Sequence, residues 1–269
     1  MTRLRVTELW TYPVKSCRGV ALDHASVEAR GLRWDRHWMV VDTSGRFLTQ
    51  RDLPAMATIV PTVTAAALVL RAPGRPDLVL PHGPAGDQAV VTVWGDTVEA
   101  WTVSAAADRW LSQHLGVGCR LVRFPEDARR PVDPTYGAPG DETAFSDGFP
   151  LLLIGQGSLD ALNSRLAQPL PMRRFRPNLV VAGAPPHAED DWRRIRIGAI
   201  TLRVVKPCSR CVITTVDPDQ GVRAGAEPLE TLATYRRRDG RVYFGQNVIP
   251  DGAGEIRVGD PVEVLGDAA

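Results

Sequence analysis

Alternation of apolar and polar residues, the period of a half-buried strand, dominates this chain of 269 residues. Turn-forming residues interrupt the alternation at short intervals, and such a turn between two alternating runs predicts a β-hairpin. Three segments show this best: 37–51 around Asp42 to Gly45, 89–103 around Gly95-Asp96, and 194–205 around Gly198. The pattern therefore predicts a mainly β fold.

Helical periodicity is confined to a few segments. Ser104 is placed to cap a helix over 105–115 that Gly116 ends, and Ser158 to cap a second helix over 159–167. A third helix is predicted over 227–237, where Leu229, Leu232 and Tyr235 share one face. These helices add to the strands without changing the class, which we predict as α+β with β dominant.

The stretch "PEDARRPVDPTYGAPGDE" (125–142) shows neither period and is dense in proline, glycine and charge. This composition favours a linker or a long surface loop. We therefore expect a domain boundary near residue 125, with domains over 1–124 and 125–269. A long loop of this kind can also be a functional lid.

Composition limits the function classes. The chain has 44% hydrophobic and 23% charged residues, and its net charge of +1 argues against a broad positive face for nucleic acid or anionic membrane. A local basic pocket remains compatible with these numbers. The start, "MTRLRVTELW", resembles no targeting segment, and no apolar run approaches membrane-spanning length. We expect a cytoplasmic protein that does not bind membranes.

Two of the four cysteines, Cys208 and Cys211, have two residues between them in "KPCSRCVITTV" (206–216). A structural zinc site needs a second pair of ligands, whereas Cys17, Cys119 and the histidines are scattered. A thioredoxin-like pair would open a helix, but the residues after Cys211 predict a strand. Neither site fits well.

Pro207 also disfavours a helix, so we predict that the two thiols lie in a turn between strands and face a cleft. Arg210 and Lys206 would favour the thiolate form there. Two small buried hydrophobic cysteines would give the same spacing. We expect Asp217 to shape the turn at Pro218.

Several motifs occur in the order of a known family. They are "YPVKSCRG" (12–19), "DRHWMVVD" (35–42), "FRPN" (175–178), "CSRC" (208–211), "FGQN" (244–247) and "IRVGDPVEVL" (256–265). The chain resembles MOSC domain proteins with an N-terminal β-barrel domain, such as the mitochondrial amidoxime-reducing components and their bacterial counterparts. The resemblance implies a β-barrel-like domain over 1–124 and a MOSC β-barrel domain over 125–269.

The resemblance further implies an oxidoreductase that carries molybdenum with molybdopterin and reduces N-hydroxylated (amidoxime or N-oxygenated) compounds. It makes Cys211 the molybdenum ligand, with Arg210 beside it in catalysis. It assigns cofactor binding to the following residues: Lys15, Ser16, Arg36, Ser146, Asp147, Arg176, Asn178, Ser209 and Arg210. Gly148 and Phe149 stand where relatives often have hydroxyl residues. Without the resemblance, the basic residues among these would be read as solvated surface charges.

The electrons would come from a separate iron–sulfur, flavin or haem protein, since the sequence shows no ferredoxin-like cysteine run of its own. The other implied partner is a small N-hydroxylated substrate. Nucleic acid is not an expected partner. An alternative is a cofactor carrier or sulfur-transfer protein, because MOSC domains also occur in molybdenum-cofactor sulfurases. The similarity to sulfurases also leads us to expect pyridoxal phosphate binding. A structural zinc protein is a third hypothesis.

Overall fold

The computed structural model describes residues 3–82 and 86–266 of the chain. Strands predominate in these ranges, which confirms the predicted fold class. The strands are β1 (Arg5–Thr11), β2 (Val20–Leu22), β3 (His24–Glu28), β4 (Gly31–Leu32), β5 (Trp38–Asp42), β6 (Val60–Val63), β7 (Ala67–Arg71), β8 (Leu78–Pro81), β9 (Gln88–Val93), β10 (Asp96–Thr102), β11 (Cys119–Arg123), β12 (Leu151–Gly155), β13 (Leu179–Ala182), β14 (Arg194–Ile197), β15 (Ile200–Ser209), β16 (Val216–Asp217), β17 (Val222–Arg223), β18 (Arg237–Arg238), β19 (Arg241–Pro250), β20 (Gly254–Arg257) and β21 (Val262–Leu265).

The helices are α1 (Ala105–Leu115), α2 (Gln156–Asn163) and α3 (Leu229–Tyr235), with 3-10 helices at Pro54–Thr58, Met172–Arg174, Ala188–Asp190 and Val212–Thr215. In the described part of the chain, none of the helices has the length and apolar character needed to cross a membrane.

The largest sheet has the strand order β2-β1-β13-β12-β19-β15-β14-β21, with β18 attached to β19. The ladders themselves form no closed ring among the described residues. The last strand, β21, nevertheless approaches β1, which lies next to the first end, because Val6 N donates to Asp260 O at 2.9 Å and Val262 N donates to Leu4 O at 2.9 Å. The sheet thus curls around a core of aliphatic side chains that includes Leu9, Leu153 and Ile195.

Smaller sheets complete the fold. One has the order β5-β11-β10-β9 and another the order β6-β7-β8, and both belong to the N-terminal half. In contrast, β1 pairs with β13 and β3 pairs with β20, so the first strands share a sheet with late ones. The boundary near residue 125 stays a prediction.

The predicted turns at Gly95-Asp96 and Gly198 join paired antiparallel strands. Val93 pairs with Asp96, and Ile197 with Ile200, across two-residue turns. The turn at Asp42 to Gly45 is also present, but its second arm makes isolated bridges rather than a strand ladder, from Phe47 to Val41 and from Arg46 to Thr92. The segment beyond it is therefore free to leave the sheet and reach the functional cavity.

Two of the three helices begin and end close to their predicted positions. Ser104 Oγ accepts a hydrogen bond from Ala107 N at the start of α1, and Gly116 takes the left-handed conformation (φ 72°) at its end. The predicted cap at Ser158 is wrong, because α2 begins earlier and Ser158 lies inside it. The Ser158 hydroxyl donates instead to the buried carboxylate of Glu189 at 2.7 Å.

The residues after Cys211 form a 3-10 helix rather than the predicted strand. Thr214 N and Thr214 Oγ1 both donate to the Cys211 carbonyl, at 3.1 and 3.0 Å. Thr215 Oγ1 donates to Val212 O at 2.8 Å. These local hydrogen bonds override the strand propensity of the β-branched residues.

Residues 125–142 form an irregular segment, as predicted, but it is packed against the protein. Val132 and Arg130 are buried, and Val132 N donates to Asp141 O at 3.0 Å. Thr143 N donates to Arg130 O at 2.9 Å. The segment is therefore a structured loop whose arginine reaches the site described next.

Candidate functional site

One cavity collects side chains from distant parts of the sequence. All ten residues predicted to bind the cofactor or the metal lie on its wall, brought there by four turns and the end of β15. They are Lys15, Ser16, Arg36, Ser146, Asp147, Arg176, Asn178, Ser209, Arg210 and Cys211. Their individual roles stay predictions, but their convergence requires the tertiary structure.

Cys211 lies half-buried immediately before the 3-10 helix at Val212–Thr215. The guanidinium of Arg51 contacts it, with Arg51 Nη2 3.2 Å from Cys211 Sγ. Arg51 reaches the thiol from the segment that follows the Asp42 to Gly45 turn. The sequence prediction placed Arg210 in this position, and the structure instead gives the contact with Cys211 to Arg51.

Arg210 points to the other thiol of the pair. Its Nη1 lies 2.9 Å from Cys208 Sγ, and its Nη2 donates to Phe175 O at 2.5 Å. Lys206, the other cation predicted to act on the thiols, lies over the ring of Tyr136 at 4.1 Å from its centre. Each thiol thus has one guanidinium beside it.

A chain of contacts runs from Arg51 across the mouth of the cavity. The Arg51 guanidinium lies 4.6 Å from the ring centre of Trp94, and the Trp94 indole donates to Asp147 Oδ1 at 3.1 Å. Asp147 in turn pairs with Lys15 Nζ at 2.5 Å. A cation over an aromatic face and a paired carboxylate both fix orientation.

Lys15 is almost fully buried and its ammonium also donates to Phe145 O at 2.8 Å. Burial lowers the pKa of Lys15, and Asp147 opposes that shift. Burial alone would raise the pKa of Asp147, but Lys15, Arg51 and the Trp94 indole hold it well below its usual range. Because the Asp147 side chain is 62% exposed, water weakens these interactions. We expect the pair to be ionised at neutral pH.

Two further guanidinium groups, of Arg36 and Arg176, each lie 4.2 Å from the ring centre of the buried Tyr12. Arg36 pairs with Asp35, which also accepts from Tyr12 N at 2.7 Å. Arg176 Nη1 donates to Cys17 O at 2.7 Å. Burial lowers the pKa of Arg176 to about 10.

Asn178 is buried and its amide is engaged inside the protein. Its Oδ1 accepts from Arg36 Nη1 and from Leu152 N, both at 3.1 Å, and its Nδ2 donates to Trp10 O at 3.1 Å. The side chain thereby joins β12 to β1 and fixes the Arg36 guanidinium. This geometry favours a role for Asn178 in positioning Arg36, in addition to any direct contact with a ligand.

Three cavity residues have a left-handed backbone although they carry side chains. Ser16, Arg36 and Arg176 have φ values of 65°, 49° and 57°. Such conformations are unfavourable for residues with a Cβ and are maintained by surrounding contacts. Here the contacts include Gln50 Nε2, which donates to Ser16 O at 2.6 Å. The fold therefore stores backbone strain where the basic groups converge.

Arg130, from the structured loop, supports the segment that carries Ser146 and Asp147. Its Nη1 donates to Ala144 O at 2.8 Å and to Ser146 O at 2.5 Å, and its Nε pairs with Asp96 at 2.8 Å. Arg130 thus holds the carbonyl groups of Ala144 and Ser146 in place.

The side chains fit a phosphorylated cofactor with a sulfur-binding metal. Ser146 Oγ and Arg210 Nε are buried without a hydrogen-bond partner within the described structure, although both residues line the cavity. Buried polar atoms of this kind are rare and call for a ligand. The donor set adds two half-buried thiols, of Cys208 and Cys211, suited to a soft metal, and several cationic groups, suited to phosphate.

The zinc hypothesis has no such support. Within residues 3–82 and 86–266, no three side chains of His, Cys, Asp or Glu come together to hold a metal ion. Structural zinc almost always takes four protein ligands.

Sequence reasoning missed Arg51, Trp94, Arg130 and Asn247, which line or support the cavity. Arg51 lies in "FLTQR" (47–51), a segment that reads as the second arm of a hairpin. Arg130 lies in a stretch with the composition of a linker. Only the exposed tryptophan in a tight turn, Trp94, was unusual enough to have been noticed.

Comparison with known proteins gives matches over both halves of the chain. A model of the MOSC N-terminal beta barrel domain matches residues 3–118, and a model of the MOSC domain matches residues 140–263. Mitochondrial amidoxime-reducing component 1 of Homo sapiens is 40% identical over 280 aligned residues, which cover 97% of this chain and 83% of the human protein.

Mitochondrial amidoxime reducing component 2 of Homo sapiens is 35% identical, over 96% of this chain and 82% of that protein. Among solved structures, the YUAD protein from Bacillus subtilis aligns over 97% of both chains with 12% identity and a TM-score of 0.42. A likeness this weak carries no argument about function.

Proposed function

The chain belongs to the family of MOSC domain proteins that includes the amidoxime-reducing components, and from this membership we propose that it is an oxidoreductase that reduces N-hydroxylated compounds. The observation that carries the proposal is the Cys211 thiol, half-buried on the wall of a basic cavity with Arg51 Nη2 at 3.2 Å. A guanidinium at this distance stabilises a thiolate, the form in which cysteine binds a metal.

In this proposal the cavity holds molybdenum with molybdopterin. Cys211 is the metal ligand, and the polar groups of the pterin and its phosphate are held by Lys15, Ser16, Arg36 and Arg176. Ser146 Oγ and Arg210 Nε, which have no hydrogen-bond partner among the described residues, supply further hydrogen bonds. When bound, the cofactor supplies the redox chemistry that an N–OH reduction requires and that protein side chains cannot provide.

The chain's own side chains hold the groups that line the cavity in position. The Arg51 guanidinium contacts the sulfur of Cys211, and its position over the Trp94 ring holds the guanidinium at that place. Asn178 fixes Arg36, and Arg130 fixes the segment that carries Ser146. Such fixed groups do not have to reorganise during the reaction, which is the usual source of electrostatic stabilisation in enzymes.

Reduction of an N–OH group to N–H consumes two electrons and two protons and releases water. Asp147, whose pKa is held low, is a poor source of these protons. We propose that the electrons come from a separate donor protein, of the iron–sulfur, flavin or haem type. The cytoplasmic location stays a prediction.

A cofactor carrier is the alternative, and the similarity to amidoxime-reducing components over 97% of the chain favours the reductase. Pyridoxal phosphate binding has no support from the matched domains. A carrier and a reductase would both bind the cofactor through Cys211, so only turnover separates them.

The test measures molybdenum and zinc per chain, and reductase activity with an artificial electron donor and a model amidoxime. It compares the parent with Cys211→Ser and with the matched control Cys208→Ser, all produced in cells that make the cofactor. We expect about one molybdenum per chain in the parent and in Cys208→Ser, and its loss in Cys211→Ser.

Molybdenum-loaded protein without reductase activity would contradict the enzyme proposal and favour the carrier. Equal loss of metal in both variants, or zinc in place of molybdenum, would contradict the assignment of Cys211 as the molybdenum ligand.

A further inference from the structure

A second cavity, rich in arginine, lies beside the cavity of Cys211. It has a volume of about 190 Å³, and its wall includes Arg18, Arg173, Arg174 and Arg176. Arg176 and Ile213 line both cavities. Arg18 lies in the motif YPVKSCRG (12–19) but is not among the residues assigned to the cofactor, and Arg173 and Arg174 lie outside the motifs. We call this space the arginine cavity.

Carboxylates compensate only part of its charge. Asp219 forms a bidentate pair with Arg173, at 2.7 and 2.5 Å, and lies 3.1 Å from Arg18. Asp217 lies 3.3 Å from Arg174. Four guanidinium groups thus face two carboxylates, which leaves two positive charges at neutral pH.

Burial makes this excess of positive charge unfavourable. Arg174 is only 6% exposed, and its Nε is buried without a hydrogen-bond partner within the described structure. The Arg176 guanidinium, in the wall between the cavities, contacts the ring of Tyr12 and the Cys17 carbonyl, and it forms no salt bridge within the described part of the chain. Positive charge removed from water without compensation destabilises a protein. An anion in the cavity would restore the balance.

We propose that the arginine cavity binds a phosphate group. A phosphate carries close to two negative charges at neutral pH, which equals the uncompensated charge of the wall. The planar guanidinium groups offer paired N–H donors that match phosphate oxygens, where lysines would offer point charges.

The phosphate has two possible sources with the same chemistry. Because Arg176 is shared, a ligand in the cavity of Cys211 can extend into the arginine cavity and place a phosphate there. The alternative source is free phosphate or a phosphorylated small molecule that enters the arginine cavity directly.

The test titrates the full chain, free of cofactor, with inorganic phosphate at constant ionic strength by isothermal calorimetry. The variants Arg18→Gln and Arg173→Gln remove one cation each from side chains that are 27% and 34% exposed, so the fold tolerates both. Arg196→Gln, at a 48% exposed position on β14, is the control with the same charge change.

We expect Arg18→Gln and Arg173→Gln each to weaken phosphate binding about tenfold, the effect of losing one charge-assisted hydrogen bond. Arg196→Gln should leave it within about twofold of the parent. The proposal is overturned if the parent binds no phosphate, or if binding survives both variants and is lost in Lys15→Gln, which would place the phosphate in the cavity of Cys211 alone.

Repeating the titration on cofactor-loaded chain separates the sources. Phosphate that no longer binds, together with less retained pterin in Arg173→Gln, assigns the arginine cavity to an extension of the bound cofactor. Unchanged phosphate binding assigns it to a free phosphorylated molecule. Both results support a phosphate site, and neither depends on the reductase assay, so failure of the proposed function would be seen separately.

Discussion

Replacement of Arg130 by methionine tests whether a buried guanidinium holds the segment that carries Ser146 and Asp147. Arg130 is 5% exposed, and its Nη1 donates to two carbonyl oxygens, of Ala144 at 2.8 Å and of Ser146 at 2.5 Å. Methionine keeps much of the apolar stem and removes every donor. Both carbonyl groups then lose their partner in a place that water reaches poorly.

The magnitude follows from these two bonds. Hydrogen bonds to a charged group contribute about 1.5–3 kcal/mol each, and the buried methionine side chain recovers part of that loss. The contact with Asp96 at 2.8 Å adds under about 1 kcal/mol, because that carboxylate is 54% exposed. We expect the free energy of unfolding to fall by about 3 kcal/mol, together with weaker retention of molybdenum.

Urea unfolding followed by tryptophan fluorescence measures the change, and Arg129→Met is the matched control. Arg129 is the neighbouring arginine, 77% exposed, and lies 3.7 Å from Glu142. Its replacement should change the free energy of unfolding by less than about 0.5 kcal/mol. A loss below about 1 kcal/mol in Arg130→Met would refute the idea that this guanidinium supports the site.

Three further predictions concern titration, thiol access and backbone. Burial, aided by Arg123 and Arg30, lowers the pKa of His37 to about 3, so the folded state stays neutral where the unfolded chain takes up a proton. The free energy of unfolding should therefore fall as the pH drops from about 6.5 towards 3, by up to about 1.4 kcal/mol per pH unit from this half-buried ring. In His37→Gln, the free energy of unfolding measured between pH 4.5 and 7 should depend less steeply on pH. Burial raises the pKa of Cys17 to about 12, so mass spectrometry after alkylation at pH 8 should find the two thiols of the CSRC turn (208–211) labelled and Cys17 unlabelled until the chain unfolds; early labelling of Cys17 would contradict its burial. Gly148→Ser, where an added Cβ meets no atom within 4 Å, should leave thermal stability unchanged, whereas Gly245→Ala, with a φ of +79° and Ile154 Cγ1 at 2.6 Å, should lower it clearly; equal effects would refute this comparison.

Local patterns predicted much of the fold because they depend on neighbouring residues. The turns at Gly95 and Gly198 follow from small residues between alternating runs, and the start of α1 follows from the Ser104 hydroxyl. Some local predictions failed because a residue distant in the sequence makes a competing contact. Ser158 does not cap α2, because Glu189 takes its hydroxyl.

The candidate site was predictable only as far as its motifs extend. The resemblance names ten of the residues that line the cavity, eight of them within its motifs, but no motif indicates that Arg51, and not Arg210, lies beside Cys211. Arg51 is 160 positions away from Cys211 in the sequence, and its approach depends on a hairpin arm that leaves its sheet after two isolated bridges. Charge next to a cysteine in sequence is therefore a poor guide to charge next to its sulfur.

The sequence by itself determined what each short segment can form: alternating strands, three helices, and a set of thiol and cationic groups suited to a metal and a phosphate. The tertiary structure decided which of these groups meet. The cavities are built from turns that are far apart in the sequence, and no local pattern indicates which turns lie close together in space. Pairing of β1 with β13 brings Lys15 and Arg176 to one wall, and Arg176 then serves two cavities at once. The physical reason is that strand pairing and burial act between distant residues, whereas propensity acts within a few positions.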